Sequence, residues 1–389
     1  MSRQMNIGVF VIGTGNHVSG WRLPGAFKSH EDFSALLEIT QLAEDSKLDF
    51  VFFADAPTAE LDGHPGQAAR LEPITLISAL AARTRNIGLV ATVSTTYMEP
   101  YNLARLVLSA DKISGGRVGW NVVTTAQQSD NFDKKLPPHA VRYEIAAEYL
   151  DVVQGLWDSW ESDALLYDVE TGTFFDRSKV HAVNHQGKFF KVKGPLGISR
   201  SPQGQPVIVQ AGSSASGQHF AAKYAEIVFT IQQDIEEART FYKKMKDQVE
   251  AAGRSRDCLK ILPGFFPIVG RTEEEAKAKY DELVKLIEPG SALKIMSDRL
   301  GHDMSKFRMD GPLPDLPLSE EVQSFLTVLY AKARRENLIL REIHDLFAVS
   351  RGYILVYGTA GSIVDVMQQW VQTEACDGFM IAPAYFRSL

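Results

Sequence analysis

The feature that most restricts the fold of this chain is a regular alternation of short apolar runs with longer amphipathic runs. The short runs are rich in β-branched and aromatic residues, and LDFVFFADA at 48–56 is apolar almost throughout. Such runs are typical of strands buried on both faces, whereas the longer runs repeat apolar residues at helical spacing. Strict alternation implies parallel strands joined by right-handed crossovers.

The alternation predicts eight strands, each but the last followed by a helix. The predicted strands cover 6–12, 48–56, 87–93, 117–123, 206–212, 226–231, 259–269 and 377–383. The predicted helices cover 32–47, 73–84, 100–113, 140–157, 215–224, 234–252, 272–288, 320–347 and 360–374. Residues 289–320 contain four prolines and are expected to form a long loop with little regular structure.

Eight such units fit a closed (β/α)8 barrel, a TIM barrel, better than an open sheet, and we expect one domain over 1–389. A typical barrel needs about 250 residues, and the surplus lies mainly at 161–204 and 289–347. Either insertion is placed to cover a site as a lid. The final helix is missing, because Leu389 follows the eighth strand closely. Two explanations stay open: a truncated sequence, or an oligomer partner that covers the apolar flank.

Composition excludes several classes of function. The net charge of −7 and the pI near 5.8 argue against non-specific binding to nucleic acid. The cysteines, Cys258 and Cys376, form no CxxC motif and favour a reducing compartment. The N-terminus lacks the apolar stretch of a signal peptide, and no run approaches the roughly 20 apolar residues of a membrane span. We therefore expect a cytoplasmic protein that binds neither nucleic acid nor membrane.

Polar residues follow five consecutive predicted strands, and these strand ends meet at the face where such barrels carry their sites. Each residue alone has a bland alternative as a cap or turn residue, and for Asp55 that alternative is a helix-start carboxylate. Together they exceed what a core requires, so they predict a site. The residues are His17, Asp55, Thr92, Thr95, Asn121, Thr124, Gln210, Ser213 and Ser214.

Two further patterns suit an anionic ligand at this face. In AGSSASG, 211–217, small residues follow a strand and open a helix, where backbone N–H groups and the helix dipole favour negative charge. A plain N-cap explains the serines equally well. His139 and Tyr143 are four residues apart on one helix face, from which both can donate hydrogen bonds. The alternative is a surface histidine and a half-buried tyrosine.

The sequence lacks the motifs of several common cofactor sites. Neither GxGxxG nor GxxxxGK[ST] is present. His181 and His185 are four residues apart, but their turn-rich surroundings offer no obvious third ligand. We therefore predict no metal site.

Long motifs across the chain resemble the bacterial luciferase-like superfamily. GGRVGWNVVTT at 115–125 looks like the fourth-strand signature of its nitrilotriacetate, EDTA, dibenzothiophene-sulfone and long-chain alkane monooxygenase branch. Other similar segments are GNHVSGWRLP, FVFFADA, ATVSTTYMEPYNLAR, HAVRYEIAAEYLDVVQGLWDSW, GPLGISRSPQGQPVIVQAGSSASG and ACDGFMIAP. The missing final helix is the one clear departure.

The resemblance implies roles for individual residues. Asp55, Thr92 and Asn121 match residues near the isoalloxazine ring of FMN, with Thr95 as a rival for Thr92. His139 and Tyr143 match residues at the ribityl chain and phosphate, and Ser213 and Ser214 match the phosphate-binding pair. His17 matches a histidine beside the reactive face of the flavin, and His302 falls in the lid and faces the substrate in the loosest part of the match.

The resemblance also implies an activity. FMNH2, supplied by a separate NAD(P)H:FMN reductase, would react with the cosubstrate O2 to form a C4a-hydroperoxyflavin that oxygenates a small organic substrate at a C–S, C–N or alkyl carbon. Dimers or tetramers are common in the family, so a homo-oligomer is expected. Two alternatives stay open: a deazaflavin-dependent oxidoreductase of the same superfamily and a catalytically inactive flavin-binding protein.

Overall fold

The computed structural model describes residues 4–59, 61, 63–125, 131–133, 135–212, 214–317 and 323–388. Its strands in chain order are β1 (Asn6–Phe10), β2 (Phe50–Phe53), β3 (Gly88–Ser94), β4 (Val118–Val123), β5 (Leu165–Asp168), β6 (Thr173–Phe175), β7 (His185–Gln186), β8 (Lys191–Val192), β9 (Val207–Gln210), β10 (Ile227–Thr230), β11 (Lys260–Gly270), β12 (Ile354–Thr359) and β13 (Gly378–Ile381).

Eight of these strands close into a barrel. The order around it is β1, β2, β3, β4, β9, β10, β11 and β13, and β13 pairs with β1 to complete the ring. Every pairing is parallel, as between Gly8 and Phe50 or between Gly264 and Met380. The predicted (β/α)8 TIM barrel is therefore confirmed, and each predicted strand coincides with one of the eight.

Alternation along the strands separates two cores. Phe10, Phe52, Phe229 and Phe266 point into the barrel and form a buried aromatic cluster with Tyr353. The neighbouring residues on the same strands, such as Val9 and Val51, point outward and pack under the helices. This is the period-2 pattern of a sheet covered on its outer face, so the interior is filled and the barrel is no channel.

The helices are α1 (Phe33–Asp45), α2 (Pro73–Ala81), α3 (Pro100–Ser114), α4 (His139–Trp157), α5 (Ala215–Tyr224), α6 (Ile235–Ala251), α7 (Glu273–Lys285), α8 (Pro289–Leu300), α9 (Gln323–Glu336), α10 (Leu340–Ser350) and α11 (Ala360–Gln372). The helices α1 to α7 and α11 lie where the sequence predicts them. In the described part of the chain, no helix follows β13.

The prediction of a long loop over 289–320 is wrong at its start, where α8 forms. Pro289 is the first helical residue, a position that tolerates proline, and the other prolines come only after the helix has ended. Ala292, Ile295, Met296 and Leu300 form its buried stripe at helical spacing. The predicted helix over 320–347 is instead two helices, α9 and α10, with Asn337 between them in a left-handed conformation.

Within the nine-stranded sheet, one strand was not predicted. β12 pairs with the distal half of β11, with Ile354 opposite Phe265 and Thr359 opposite Gly270. This pairing is possible because β11 is 11 residues long and extends beyond the barrel. The residues of β12, ILVYGT, begin with an apolar run of strand-forming residues, so this strand has a local signal that the prediction of eight strands leaves out.

The two insertions take different places. In the first, the hairpins β5–β6 and β7–β8 form, and the backbone N–H groups of Phe189 and Phe190 donate to Glu148 of α4. That insertion therefore packs along the side of the barrel. The second, called here the helical insertion (α8 to α10), has its own apolar core, and Val18 from the loop after β1 belongs to that core. The helical insertion thus contacts the carboxyl ends of the strands.

A buried ion pair lies at the opposite end of the barrel, where the strands begin. Lys246 Nζ lies 3.0 Å from Asp377 Oδ2, and both side chains are almost fully buried. Asp377 also accepts hydrogen bonds from the hydroxyl of Tyr242 and the backbone N–H of Ile261.

Among the described residues, no helix is long and apolar enough to cross a bilayer.

Candidate functional site

A cleft of about 550 Å³ opens at the carboxyl ends of β2, β3, β4 and β9. Its walls are partly apolar, with Tyr97 and Phe132 stacked at 4.2 Å between ring centroids on one side. The polar residues that line it are Asp55, Thr58, Glu72, Thr92, Ser94, Thr124, Thr125, Tyr143 and Gln210. The sequence predicts one site shared by the ends of five strands, and this cleft lies at the ends of four of them.

Thr92 and Asn121 form a hydrogen-bonded pair beneath the cleft. The side-chain amide of Asn121 donates to the Thr92 hydroxyl at 2.9 Å, and both side chains are buried. The carbonyl oxygen Asn121 Oδ1 is buried and has no hydrogen-bond partner among the described residues. Thr95 is turned away, because its hydroxyl donates to the backbone carbonyl of Val123. The geometry therefore favours Thr92 over Thr95 as the ligand-facing threonine.

Asp55 sits at the rim of the cleft in a mixed electrostatic environment. Burial raises the pKa of its carboxyl group, and the nearby Glu72 acts in the same direction. The Arg70 guanidinium opposes them, with Nε 3.7 Å from Asp55 Oδ1. Glu72 itself caps the start of α2 through the backbone N–H groups of Ile74 and Thr75. Asp55 is thus a partly buried carboxyl group that can accept hydrogen bonds from a ligand in the cleft.

A second group of polar residues meets at the start of α5. Ser214 caps that helix, because its hydroxyl oxygen accepts from the backbone N–H of Gly217. Tyr143 lies against the same corner: a Cβ built on Gly212 or Gly217 would be 2.9 Å from the tyrosine hydroxyl. The His139 and Tyr143 rings are edge to face, with 5.1 Å between centroids. This corner brings together a helix N-terminus and three donors, which suits a phosphate. Ser213 lies outside the described residues.

His17 lies in the loop after β1 and is completely buried. Its Nδ1 accepts a hydrogen bond from the backbone N–H of Ser19 at 3.0 Å. Burial lowers the pKa of the imidazole to about 4, so the ring is neutral near pH 7. A neutral ring whose Nδ1 accepts carries its proton on Nε2, and His17 is therefore a hydrogen-bond donor at that atom.

His302 is not brought to the strand ends. Its Nε2 lies 2.9 Å from the backbone carbonyl oxygen of Pro317, and the residue lines a separate surface cavity made only from residues 290–303. The substrate-facing position implied by the resemblance finds no support in these contacts. Its segment is the part of the chain where the family motifs match most loosely.

Sequence reasoning missed His64, Arg70 and Arg351. His64 is buried in the turn after β2, and Arg351 follows α10, where its guanidinium reaches the Gln67 side chain at 3.3 Å. The only local signal for His64 is its place before Pro-Gly, which reads as a turn. Arg351 is distant in sequence from every strand end considered, so spacing gave no reason to include it.

Comparison with known proteins shows which protein family this chain matches. A family model described as Luciferase-like monooxygenase matches residues 5–375. N-acetyl-S-(2-succino)cysteine monooxygenase from Bacillus subtilis (strain 168) is 47% identical across 98% of this chain and 88% of the relative. Nitrilotriacetate monooxygenase component A from Aminobacter aminovorans is 44% identical across 99% of this chain and 89% of the relative.

Solved structures agree in fold. DmoA from Hyphomicrobium sulfonivorans superposes with a TM-score of 0.88 at 32% sequence identity. The match covers 98% of this chain and 84% of the DmoA chain. A riboflavin lyase solved with modified FMN and the substrate riboflavin gives a TM-score of 0.85 at 31% identity, covering 98% of this chain and 88% of its own.

Proposed function

Because the chain belongs to the luciferase-like monooxygenase family, we propose that it is the oxygenase component of a two-component system that uses FMNH2 and O2. The substrate is a small organic molecule oxygenated at a C–S, C–N or alkyl carbon. The observation that carries this proposal is the cleft, whose two polar groups match the two ends of FMN. Its volume also lies in the range of small-molecule sites, roughly 300–1,000 Å³.

The fit to FMN is tested by polar atoms that the protein leaves without partners. Asn121 Oδ1, Gln210 Oε1 and His139 Nδ1 are buried and lack hydrogen-bond partners among the described residues. Buried polar atoms are normally paired, so each marks a place where a ligand or water completes the network. An isoalloxazine edge offers both donors and acceptors to the first two, and a ribityl phosphate suits His139, Tyr143 and Ser214.

Reduced FMN, when bound, supplies the activation of O2 and the transfer of one oxygen atom. The chain positions the cofactor and excludes water from the site. Thr92 and Asn121 orient the ring end, and the α5 N-terminus with Ser214 holds the phosphate end. His17 donates a hydrogen bond from Nε2, since its neutral ring is a poor base at pH 7. The helical insertion excludes water from these groups through its contact at Val18.

A separate NAD(P)H:FMN reductase and self-association complete the proposal. The relative named component A supports the division into two proteins. Four apolar side chains on the β5–β6 hairpin are 46% to 93% exposed, which favours a dimer or tetramer: Leu166, Tyr167, Val169 and Phe174. Light scattering on the purified protein measures that state.

The test is oxygenation by the full chain with FMN, NADH and a flavin reductase under 18O2. N-acetyl-S-(2-succino)cysteine and nitrilotriacetate are the first substrates to try, because the relatives are named for them. We expect one 18O atom in the product, and no product when FMN or reductase is omitted. If FMN binds but every reduced flavin yields only H2O2 with a broad substrate panel, the protein is an inactive flavin binder. Binding of a deazaflavin in place of FMN would indicate the deazaflavin class.

A further inference from the structure

Beside the flavin cleft, the loops after β1 and β2 touch each other and hold three buried polar atoms without hydrogen-bond partners among the described residues. These atoms are Thr14 Oγ1, His17 Nε2 and His64 Nε2. The contact depends on Gly66, because a Cβ there would lie 2.0 Å from Thr14 Oγ1 and 3.2 Å from His64 Cε1. His17 also lies close to His64: after the larger effect of burial, its ring lowers and its backbone raises the pKa of the His64 imidazole. The function proposed above uses His17 but not His64.

Both imidazoles are fixed in the same tautomer. His64 Nδ1 accepts from the backbone N–H of Gly66 at 3.1 Å, as His17 Nδ1 accepts from Ser19 at 3.0 Å. A nitrogen that accepts a hydrogen bond carries no proton, so each neutral ring presents Nε2–H. Burial lowers the pKa of both rings, and both are therefore neutral at physiological pH. The backbone groups of Leu283 and His17 oppose this effect by raising the pKa of His17 and His64, respectively, yet neither Nε2 atom has a hydrogen-bond partner among the described residues. The loops thus display two fixed N–H donors that the described hydrogen bonds leave unused.

The surroundings of these donors carry positive charge. The Arg351 guanidinium acts on His64, and Arg70 acts on the third buried histidine of this region, His30. Arg351 is held beside the His64 turn by its hydrogen bond to Gln67. Two donors beside a guanidinium match a group that only accepts and is negatively charged. Water fits less well at the rings themselves, because it must also donate its protons and the two rings offer no acceptor; it would need a backbone carbonyl such as that of His17 or Leu283.

We propose that the Nε2–H groups of His17 and His64 bind a carboxylate of the substrate, with Arg351 supplying the complementary charge. This inference rests on the proposed function, since it names the substrate class of the same site. The substrate is accordingly a carboxylic acid, and an alkane or a neutral sulfone is a poor one.

The test measures binding of succinate and of its neutral analogue succinamide to the full chain, with and without FMN. The chain is labelled with 15N-histidine, so that each ring reports its tautomer and its ligand contacts by NMR. We expect Nε2–H tautomers for His17 and His64 at pH 7. Succinate is expected to shift both Nε2 signals, and succinamide is expected to bind at least about tenfold more weakly.

Variants at His64 separate binding from folding. His64→Phe removes the donor and is expected to weaken succinate binding about tenfold. His64→Gln keeps an oxygen for Gly66 and an N–H for the ligand, so it should restore most of the affinity. His30→Phe is the matched control, because His30 is also buried with Nδ1 accepting a backbone N–H, from Gly13 at 2.5 Å, yet its Nε2 is not among the unpartnered atoms. FMN affinity should stay the same in all three variants.

The outcomes discriminate clearly. The inference is overturned if succinate and succinamide bind equally, if His64→Phe and His30→Phe have the same effect on succinate affinity, or if succinate leaves both signals unmoved. In the last case an ordered water occupies the donors. Failure of the proposed function shows itself differently, as absence of FMN binding or of oxygenated product, and neither readout enters this test.

Discussion

At the scale of single residues, the structure distinguishes two threonines that the sequence alone does not. Thr92 and Thr95 are both buried near the end of β3, three residues apart. Only the hydroxyl of Thr92 meets the Asn121 amide, because residues on a strand alternate between faces. The Thr95 hydroxyl is used by the backbone of Val123. Flavin contact should therefore depend on one hydroxyl and hardly on the other.

Replacement of Thr92 by valine tests this directly. Valine keeps the shape of threonine but leaves the Asn121 amide without its partner, so the amide no longer orients its oxygen toward the ligand. We expect FMN to bind about tenfold more weakly, which corresponds to about 1.4 kcal/mol. Quenching of FMN fluorescence measures the dissociation constant. Thr95→Val is the control and should change it by less than about twofold; a larger loss from Thr95→Val would reverse the assignment.

At the scale of elements, Val18 links the helical insertion to the loop that carries His17. Its side chain is 1% exposed in the insertion's core, and its backbone N–H donates to the Ala348 carbonyl oxygen at 3.3 Å. A loosened contact at this point admits water to the adjacent residue. Since water promotes release of peroxide from reduced flavin and O2, shelter should depend on this one side chain.

Val18→Ala should therefore increase uncoupling. The change removes two buried methyl groups and costs about 2 kcal/mol locally. We expect H2O2 to be released several-fold faster after reduced FMN and the protein meet O2, with FMN affinity nearly unchanged. Val107→Ala makes the same deletion in the core under α3, where the side chain is 2% exposed. If both variants release H2O2 at the same rate, the insertion does not shelter the site.

Elements also show what the sequence can and cannot reveal. The barrel strands follow from continuous apolar runs, and α5 is predicted to the residue, because local pattern and tertiary burial agree there. The start of α8 fails because proline was read as a breaker at a position where helices accept it. β12 has a local apolar run that the prediction omits, whereas its pairing with the overlong β11 is a relation that no local pattern contains. His64 and Arg351 fail likewise, since only the closed barrel and its insertion bring them together.

At the scale of the whole molecule, three buried histidines make stability depend on pH. Burial lowers the pKa of His17 and His30 to about 4, and it also lowers the pKa of His64 well below its usual range. In the unfolded chain these rings titrate near 6.5. Between pH 6.5 and 4 the unfolded state therefore binds more protons than the folded state, and the free energy of unfolding falls as the pH falls. Above pH 6.5 the rings are neutral in both states, and this loss of stability is absent.

Urea unfolding at pH 6.5 and pH 5 measures the effect. Each histidine contributes a slope of up to about 1.4 kcal/mol per pH unit in this window. His30→Gln should lower the slope by about that amount, because glutamine does not titrate and its amide oxygen can accept from Gly13. His219→Gln, which removes an exposed imidazole, is the matched control for the loss of one titratable group. An unaltered slope in His30→Gln would mean that His30 is not buried in its neutral form.

The buried core of the helical insertion comes almost entirely from one continuous stretch of chain, Ala292 to Ala348, and Val18 is the buried member supplied by the barrel. A block of this kind can be exchanged as a unit. A chimera that takes this stretch from a relative has few apolar side chains to match at the junction of the two cores, chiefly Val18 and the partly buried Ile287. Exchange of this block would change what packs against the loop after β1 and would leave the strands of the barrel in place.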